Sequence, residues 1–264
     1  MIPLALLLSA LLSGVAGLSH VPAQSTAVRT LTIAAASDLQ AALPEVIKGF
    51  ERQARARVTV SFGSSGTFFA QIQNGAPYDV YLSADIDYPR QLVASGHANG
   101  SSLYQYATGR IVLWTRKQSG IDVTTGLKGL TDSRVKRIAI ANPKFAPYGR
   151  AAEAALRHDM VYDAVRSKLV LGDNISQTAQ LVDSGNADVG IIAHSLALGP
   201  GLRANGTYAE IPATAHPPID QAAVIVTASK HMELAREFLA YLTRRDVVEH
   251  LQQFGFTLPQ RAAR

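Results

Sequence analysis

"RVTVSFGSSGTFFAQIQNGAPYDVYLSAD", residues 57–85, changes its hydrophobic period twice, and that change decides the fold class. "RVTVSF" (57–62) alternates as a strand does, "TFFAQIQ" (67–73) reads as a short helix closed by Asn74 and Gly75, and "YDVYLSA" (78–84) is a further strand. Strand, helix and strand in this spacing make a βαβ unit, which implies parallel pairing with the helix on a sheet face. At the first corner, Gly63-Ser64-Ser65-Gly66 sets two serines between two glycines. Such a corner is open to three readings: a turn, a nucleophile, or a grip on an anion.

The same alternation extends both ways. Upstream, "LTIAAA" (31–36) is a buried strand, and residues 38–53 place Leu39, Leu43, Val46, Ile47 and Phe50 on one helical face. Pro44 predicts a kink, or a helix that becomes regular only after it. Downstream, "GRIVLWTRK" (109–117) opens a second strand series and "LKGLTD" (127–132) reads as a short helix. The segments 136–143, 149–159, 167–173, 176–186 and 187–193 then alternate strand and helix. Residues 198–218 are rich in Gly, Pro, Ala and Asn, 222–228 is a strand, and 232–255 is helical with a break near Arg245 and Asp246. The last helices have no sheet of their own, so they are expected to return to the first unit.

The chain has 264 residues, 47% of them hydrophobic, enough for one large domain or two lobes with real cores. An apolar run from Ile2 to about Leu12, then small residues with cleavage points after Gly17 or Ala23, reads as a signal peptide over 1–23. No Lys or Arg precedes Arg29, so the alternative is an uncleaved apolar anchor. There is no cysteine, which excludes disulfides, thiol chemistry and a cysteine-linked lipid anchor. The formal charge of +5 comes from 25 basic and 20 acidic residues that are scattered. It can steer anions, but no basic block with interleaved aromatics points to nucleic acid.

Four corners share one design of apolar strand, small or polar residues, then helix start: Ser37; Ser64 and Ser65; Ala146 to Gly149; and Asn174 to Ser176. Helix N-termini present unpaired N–H groups and the positive end of the dipole, so each corner can accept an anion without a formal positive charge. Ser37, Ser64 and Ser65 add hydroxyl donors, and Gly63 and Gly66 are expected to let the backbone approach a ligand. The plain alternative at each is an N-cap serine worth about 1 kcal/mol. Two corners fall in each α/β unit, and ligands of open α/β sheets bind beyond the carboxyl ends of strands, so a cleft between two lobes is expected.

Together, "AAASDLQAALPEV", "VSFGSSGTFFAQIQNGAPYDVYLSAD", "ANPKFAPYGRAAEAAL" and "GDNISQTAQLVDSGNADVGII" resemble the periplasmic molybdate-binding proteins that feed ABC transporters. The likeness runs from about residue 31 to 258, in order, and "SFGSSG" with "GAPYDVYLSAD" is its most diagnostic part. The resemblance implies a two-lobe periplasmic-binding-protein fold of type II. Each lobe would be a mostly parallel sheet flanked by helices, with a two-strand hinge near 107–110 and 219–222. Lobe 1 would span 29–107 and 221–264, and lobe 2 would span 108–220. Molybdate or tungstate would be held by Ser37 and Ser65 and by the backbone N–H groups of Tyr148 and Ile175, with Ser64, Asn174, Ala146 and Pro147 in support. Molybdenum would be present only inside its oxyanion, with no protein ligand on the metal and no cofactor. A permease with its ATPase would be the partner of a monomeric, periplasmic protein. Some family members add a tyrosine hydroxyl where this chain has Ala193; the Tyr148 side chain, Asn174 or His194 is expected to replace it.

A site made only of N–H and O–H donors satisfies an oxyanion without protons and leaves the proton of hydrogen phosphate unpaired. Sulfate differs from molybdate mainly in size. Other readings are a binder of sulfate or another tetrahedral oxyanion, and an exported sensor or interaction protein on the same fold. A serine hydrolase fails on spacing, because Thr67 stands where G-x-S-x-G needs glycine. Asp79 is expected to bond strand-start backbone and Asp85 and Asp87 to lie on a solvated edge. The seven histidines show no tight metal spacing, and Arg150 reads as a surface helix arginine, the alternative being electrostatic aid to the anion.

Overall fold

The computed structural model describes residues 28–259, so the expected signal peptide lies outside the described residues. In chain order the strands are β1 (Arg29–Ala36), β2 (Ala56–Gly63), β3 (Val80–Ser83), β4 (Tyr104–Gly109), β5 (Ile111–Arg116), β6 (Ile138–Ala141), β7 (Leu169–Gly172), β8 (Val189–Ala193), β9 (Gly206–Glu210) and β10 (Ile219–Ile225). The helices are α1 (Leu43–Ala54), α2 (Ser65–Gln73), α3 (Asp87–Ala94), α4 (Pro147–His158), α5 (Tyr162–Val165), α6 (Ile175–Asp183), α7 (His194–Ala197), α8 (Pro200–Asn205), α9 (Met232–Leu242) and α10 (Arg245–Gln253).

The strands form two five-stranded sheets, ordered β2-β1-β3-β10-β4 and β7-β6-β8-β5-β9. In each sheet four strands run in one direction and one runs against them, β10 in the first sheet and β5 in the second. The expected mostly parallel sheets are present, each mixed by that one antiparallel strand. The physical reason is the chain path: β4 enters β5 through Arg110 alone, and β9 leads back to β10, so each lobe must contain a strand leaving and a strand returning. The chain passes between the sheets at residues 109–111 and again at 210–219.

Two corrections concern elements that polar composition hides. "YQYATG" forms β4, and the Gly-rich 198–218 stretch contains α8 and the edge strand β9. Pro44 does not kink α1, because it sits in the first turn, where its missing N–H has no intrahelical role; the segment is a 3₁₀ turn over Ser37–Gln40 and becomes a regular α-helix only from Leu43, the second of the two outcomes expected.

Helix α1 buries Leu43, Val46, Ile47 and Phe50 and ends at Arg55, which adopts a left-handed conformation with φ 49°. Phe50 meets Phe238 of α9 edge to face, with ring centroids 5.1 Å apart, so the C-terminal helices cover the first sheet together with α1. The opposite face of that sheet is covered by Phe68 and Ile72 of α2 and Leu92 of α3. The second sheet has its own core, which includes Trp114 at 0% exposure in β5 under Gly206, together with Leu156, Val182 and Ile191.

Candidate functional site

The parallel strands β1, β2, β6 and β7 all end facing the other lobe, and the residues after them meet in one small cavity of about 10 Å³. The first lobe lines it with Ser37, Asp38, Gly63, Ser64 and Ser65, and the second with Ala146, Pro147, Tyr148 and Ile175. Asn174 lies immediately before Ile175 but is not a lining residue. No Lys or Arg lines the cavity. A larger depression lined by Gln40, Asp183 and Leu202 opens to solvent and does not unite the corners.

The corners differ in detail. Ser65, at 1% exposure, accepts the Ala84 backbone N–H at its Oγ (2.9 Å), which leaves its hydroxyl proton free to donate. Ser64 occupies the N-cap of α2 without capping it, because its hydroxyl donates across the cleft to the Phe145 carbonyl (2.5 Å). Pro147 fills the first position of α4 and has no N–H, so Tyr148 presents the first one. Ile175 opens α6, while Asn174 Oδ1 caps that helix by accepting from Ser176 N and Gln177 N, 3.0 Å each. The same oxygen accepts from Ser37 Oγ at 3.1 Å, joining the first corner to the fourth.

Gly66 is needed for a reason other than ligand access. A Cβ there would lie 2.7 Å from the Phe145 carbonyl oxygen, and the Gly66 N–H itself donates to that oxygen at 2.9 Å. Gly63 makes room for the Phe68 ring and also lines the cavity. The two glycines thus serve packing within and between the lobes.

Asp38 is the lining residue that sequence reasoning missed. It is fully buried; its Oδ2 accepts from Tyr148 Oη (2.9 Å) and Gln221 Nε2 (2.5 Å), and Oδ1 has no hydrogen-bond partner among the described residues. Gln221 also accepts from Tyr106 Oη at 2.7 Å, so the network ties both lobes to β4 and β10. A Cβ at Gly109 would strike Tyr148 Oη, so this network needs glycine where the chain leaves the first lobe. Burial pushes the Asp38 carboxyl up to about 6, opposed by Gln221, Tyr148 and the neighbouring N–H groups of Asp38 and Leu39, which favour the charged form without a well-aligned bond to Oδ1. Burial, with the Asp38 charge beside it, holds the Tyr148 phenol well above its ordinary value.

Residues 31–257 match the family described as bacterial extracellular solute-binding protein. The chain belongs to that family. It is 36% identical to the molybdate-binding protein ModA of Azotobacter vinelandii, over 92% of this chain and 94% of that one. It is also 36% identical to ModA of Rhodobacter capsulatus, over 75% and 77%. The solved structure of the Azotobacter vinelandii periplasmic molybdate-binding protein superposes with a TM-score of 0.82 at 32% identity, covering 87% of this chain and all of that one. Homology to molybdate-binding proteins and the two-lobe periplasmic-binding-protein fold are thereby shown.

In this solute-binding protein the remaining polar candidates serve structure. Asp79 Oδ2 accepts the Thr32 N–H at 2.7 Å and its Oδ1 accepts from Ser229 Oγ. Asp85 is not on a solvated edge: it pairs with Arg150 across the cleft, which also donates to Tyr88 Oη at 3.2 Å. The pairing fixes Arg150 outside the cavity lining. Ala193 is buried at the end of β8. Of the three side chains expected to replace a tyrosine there, only Tyr148 lines the cavity, and its hydroxyl donates to Asp38; Asn174 caps α6 through Oδ1, and the His194 ring packs on Tyr208 and Gly255. No cluster of three or more metal-ligating side chains occurs among the described residues.

Proposed function

We propose that this solute-binding protein captures molybdate, and tungstate with it, between its lobes and delivers it to an ABC permease with its ATPase. The observation that carries the reading is the cavity where the N-terminal ends of α2, α4 and α6 converge with Ser37, lined by no cation. Ser65 Oγ, Ser37 Oγ and the N–H groups of Tyr148 and Ile175 are the donors, the last two at helix positions with no intrahelical acceptor. Ser37 must turn from Asn174 to donate, an exchange of one oxygen acceptor for another. Each lobe holds half of the donors, so hinge closure completes the shell. The ModA name carried by the relatives supports the choice of oxyanion.

The reading includes export to the periplasm by residues 1–23, a monomer, no cofactor, no catalytic step, no nucleic acid, and molybdenum held only through its oxygens. Thermal unfolding with molybdate, tungstate, sulfate, phosphate or no added anion tests it. Ligand at about 100 times its dissociation constant adds about 2.7 kcal/mol, a rise of roughly 5–11 °C for a chain of this size. A rise with molybdate and tungstate alone is expected. A rise with sulfate instead would move the assignment to that oxyanion, and no rise with any would refute oxyanion capture.

A further inference from the structure

Asp38 is a carboxylic acid inside an anion-binding cavity with no cationic side chain in its wall. An ionised Asp38 beside a dianion would put like charges together away from water, where neither is screened by solvent. The hydrogen bonds indicate how the conflict resolves. Oδ2 accepts two donors, from Tyr148 and Gln221, as a carbonyl oxygen does, and Oδ1 accepts none. A proton on Oδ1 would make a hydroxyl for which no described residue is an acceptor.

Resting on the oxyanion reading above, we propose that Asp38 takes up one proton as the lobes close on the oxyanion, and that the neutral acid donates from Oδ1 to it. The proton comes from solvent and no covalent bond of the ligand changes. Asp38 thus supplies the side-chain donor that Ala193 lacks. With Oδ1 protonated, the wall turns a donor toward any proton carried by the ligand, which disfavours hydrogen phosphate.

The groups around Asp38 leave it as the titrating site. Tyr148 on α4 and Tyr106 on β4 are phenols kept neutral by burial, and Gln221 on β10 is uncharged. From α7, Ser195 donates to the Asp38 carbonyl at 2.7 Å, while His194 packs elsewhere and has its pKa lowered by burial. From α6 the facing groups are Ser176 and the Asn174 cap, with Asp173 exposed before them. The charged residues Glu45 and Lys48 of α1, Arg29 of β1 and Arg57 of β2 are exposed.

The sign of the pH dependence follows. The closed form, with Asp38 raised to about 6 and raised further by a neighbouring dianion, binds the proton more tightly than an open form in which Asp38 meets water. Affinity is therefore highest at low pH and falls, by up to about tenfold per pH unit, as pH rises from the lower pKa of the open form toward the higher pKa of the liganded form. Titration calorimetry with sodium molybdate at pH 7, in two buffers of different ionisation enthalpy, counts the protons. The expected result is about one proton taken up by the wild type and none by Asp38→Asn, whose amide can accept at one atom and donate at the other. The variant should also bind with an affinity flat in pH and tighter than wild type at pH 8.5. Molybdate binding by the wild type without proton uptake, or uptake that persists in Asp38→Asn, would overturn the proposal. The wild-type proton count decides even if the variant does not fold. Absence of molybdate binding by the wild type would instead refute the functional reading on which the proposal rests.

Discussion

Gly66→Ala separates closure from folding. Gly66 is the second residue of α2, and its φ is not in the left-handed region, so alanine fits the backbone. Helix propensity favours the change by about 0.5–1 kcal/mol, less near a helix end. The new Cβ, however, would sit 2.7 Å from the Phe145 carbonyl oxygen and 2.8 Å from Tyr88 Oη. Ordinary contact begins near 3.4 Å, so Phe145 must retreat by roughly 0.7 Å. That stretches the 2.9 Å bond from Gly66 N to Phe145 O beyond hydrogen-bonding distance. Tyr148 is three residues from Phe145 and moves with it. One neutral hydrogen bond contributes about 0.5–1.5 kcal/mol, and a donor to a charged ligand about 1.5–3. Losing the first and weakening the second removes about 2–4 kcal/mol, or roughly 30- to 1000-fold in molybdate affinity. Calorimetric titration measures the affinity, and thermal unfolding without added anion measures the fold, which should be as stable as wild type or slightly more so. Gly63→Ala is the contrast, because its Cβ would meet the Phe68 ring at 2.9 Å inside one lobe and should cost stability first. Wild-type affinity in Gly66→Ala would refute the view that this glycine exists for closure.

Ser65→Ala should lower molybdate affinity roughly 10- to 150-fold, the equivalent of a 1.5–3 kcal/mol donor to a charged group. It also strips the buried Ala84 N–H of its acceptor, so a fall in melting temperature should accompany it; unchanged affinity in titration would remove Ser65 from the site. Tyr148→Phe deletes one of the two donors to Asp38 Oδ2, costing about 1 kcal/mol, or roughly fivefold in affinity. Because that donor favours ionised Asp38, its loss should shift the pH at which affinity declines upward, and a downward shift in titrations at several pH values would contradict the network. Arg150→Ala breaks a cross-cleft ion pair whose partners are 40% and 24% exposed, so the effect should be at most about 1 kcal/mol and should vanish in high salt. A larger, salt-independent loss would place Arg150 nearer the ligand than the structure does.

The corners were legible because Ser, Gly and Pro at strand-to-helix junctions have few other uses. The Ala146 to Gly149 corner was legible in this way, although the Tyr148 N–H came from the family resemblance and the helix was expected from 149; the structure starts α4 at Pro147, which leaves Tyr148 with the first N–H. Asp38 was not legible, since an acid just after a serine at a helix start looks like an ordinary dipole partner. Only the fold reveals that it points away from water, toward Tyr148 and Gln221, which lie 110 and 183 residues away in sequence. Strands β4 and β9 were hidden because each borders its sheet and carries polar residues on one face, so neither gives the apolar run of a central strand. The packing roles of Gly63 and Gly66 were hidden for a related reason. A glycine records that something comes close, and the sequence does not say whether that neighbour is a ligand, a ring or the other lobe.

Trp114, the chain's single tryptophan, has an optical consequence. It is wholly enclosed in β5 between β8 and β9, and none of the bonds that join the lobes involves it. Its emission therefore reports whether the second lobe is packed and stays silent while the cleft opens and shuts. The side chains that change surroundings at the cleft are tyrosines, Tyr148 and Tyr106 among them. A fluorescence assay of capture should thus carry a label on the rim, and intrinsic emission can serve in the same cuvette as an internal control that the protein is folded.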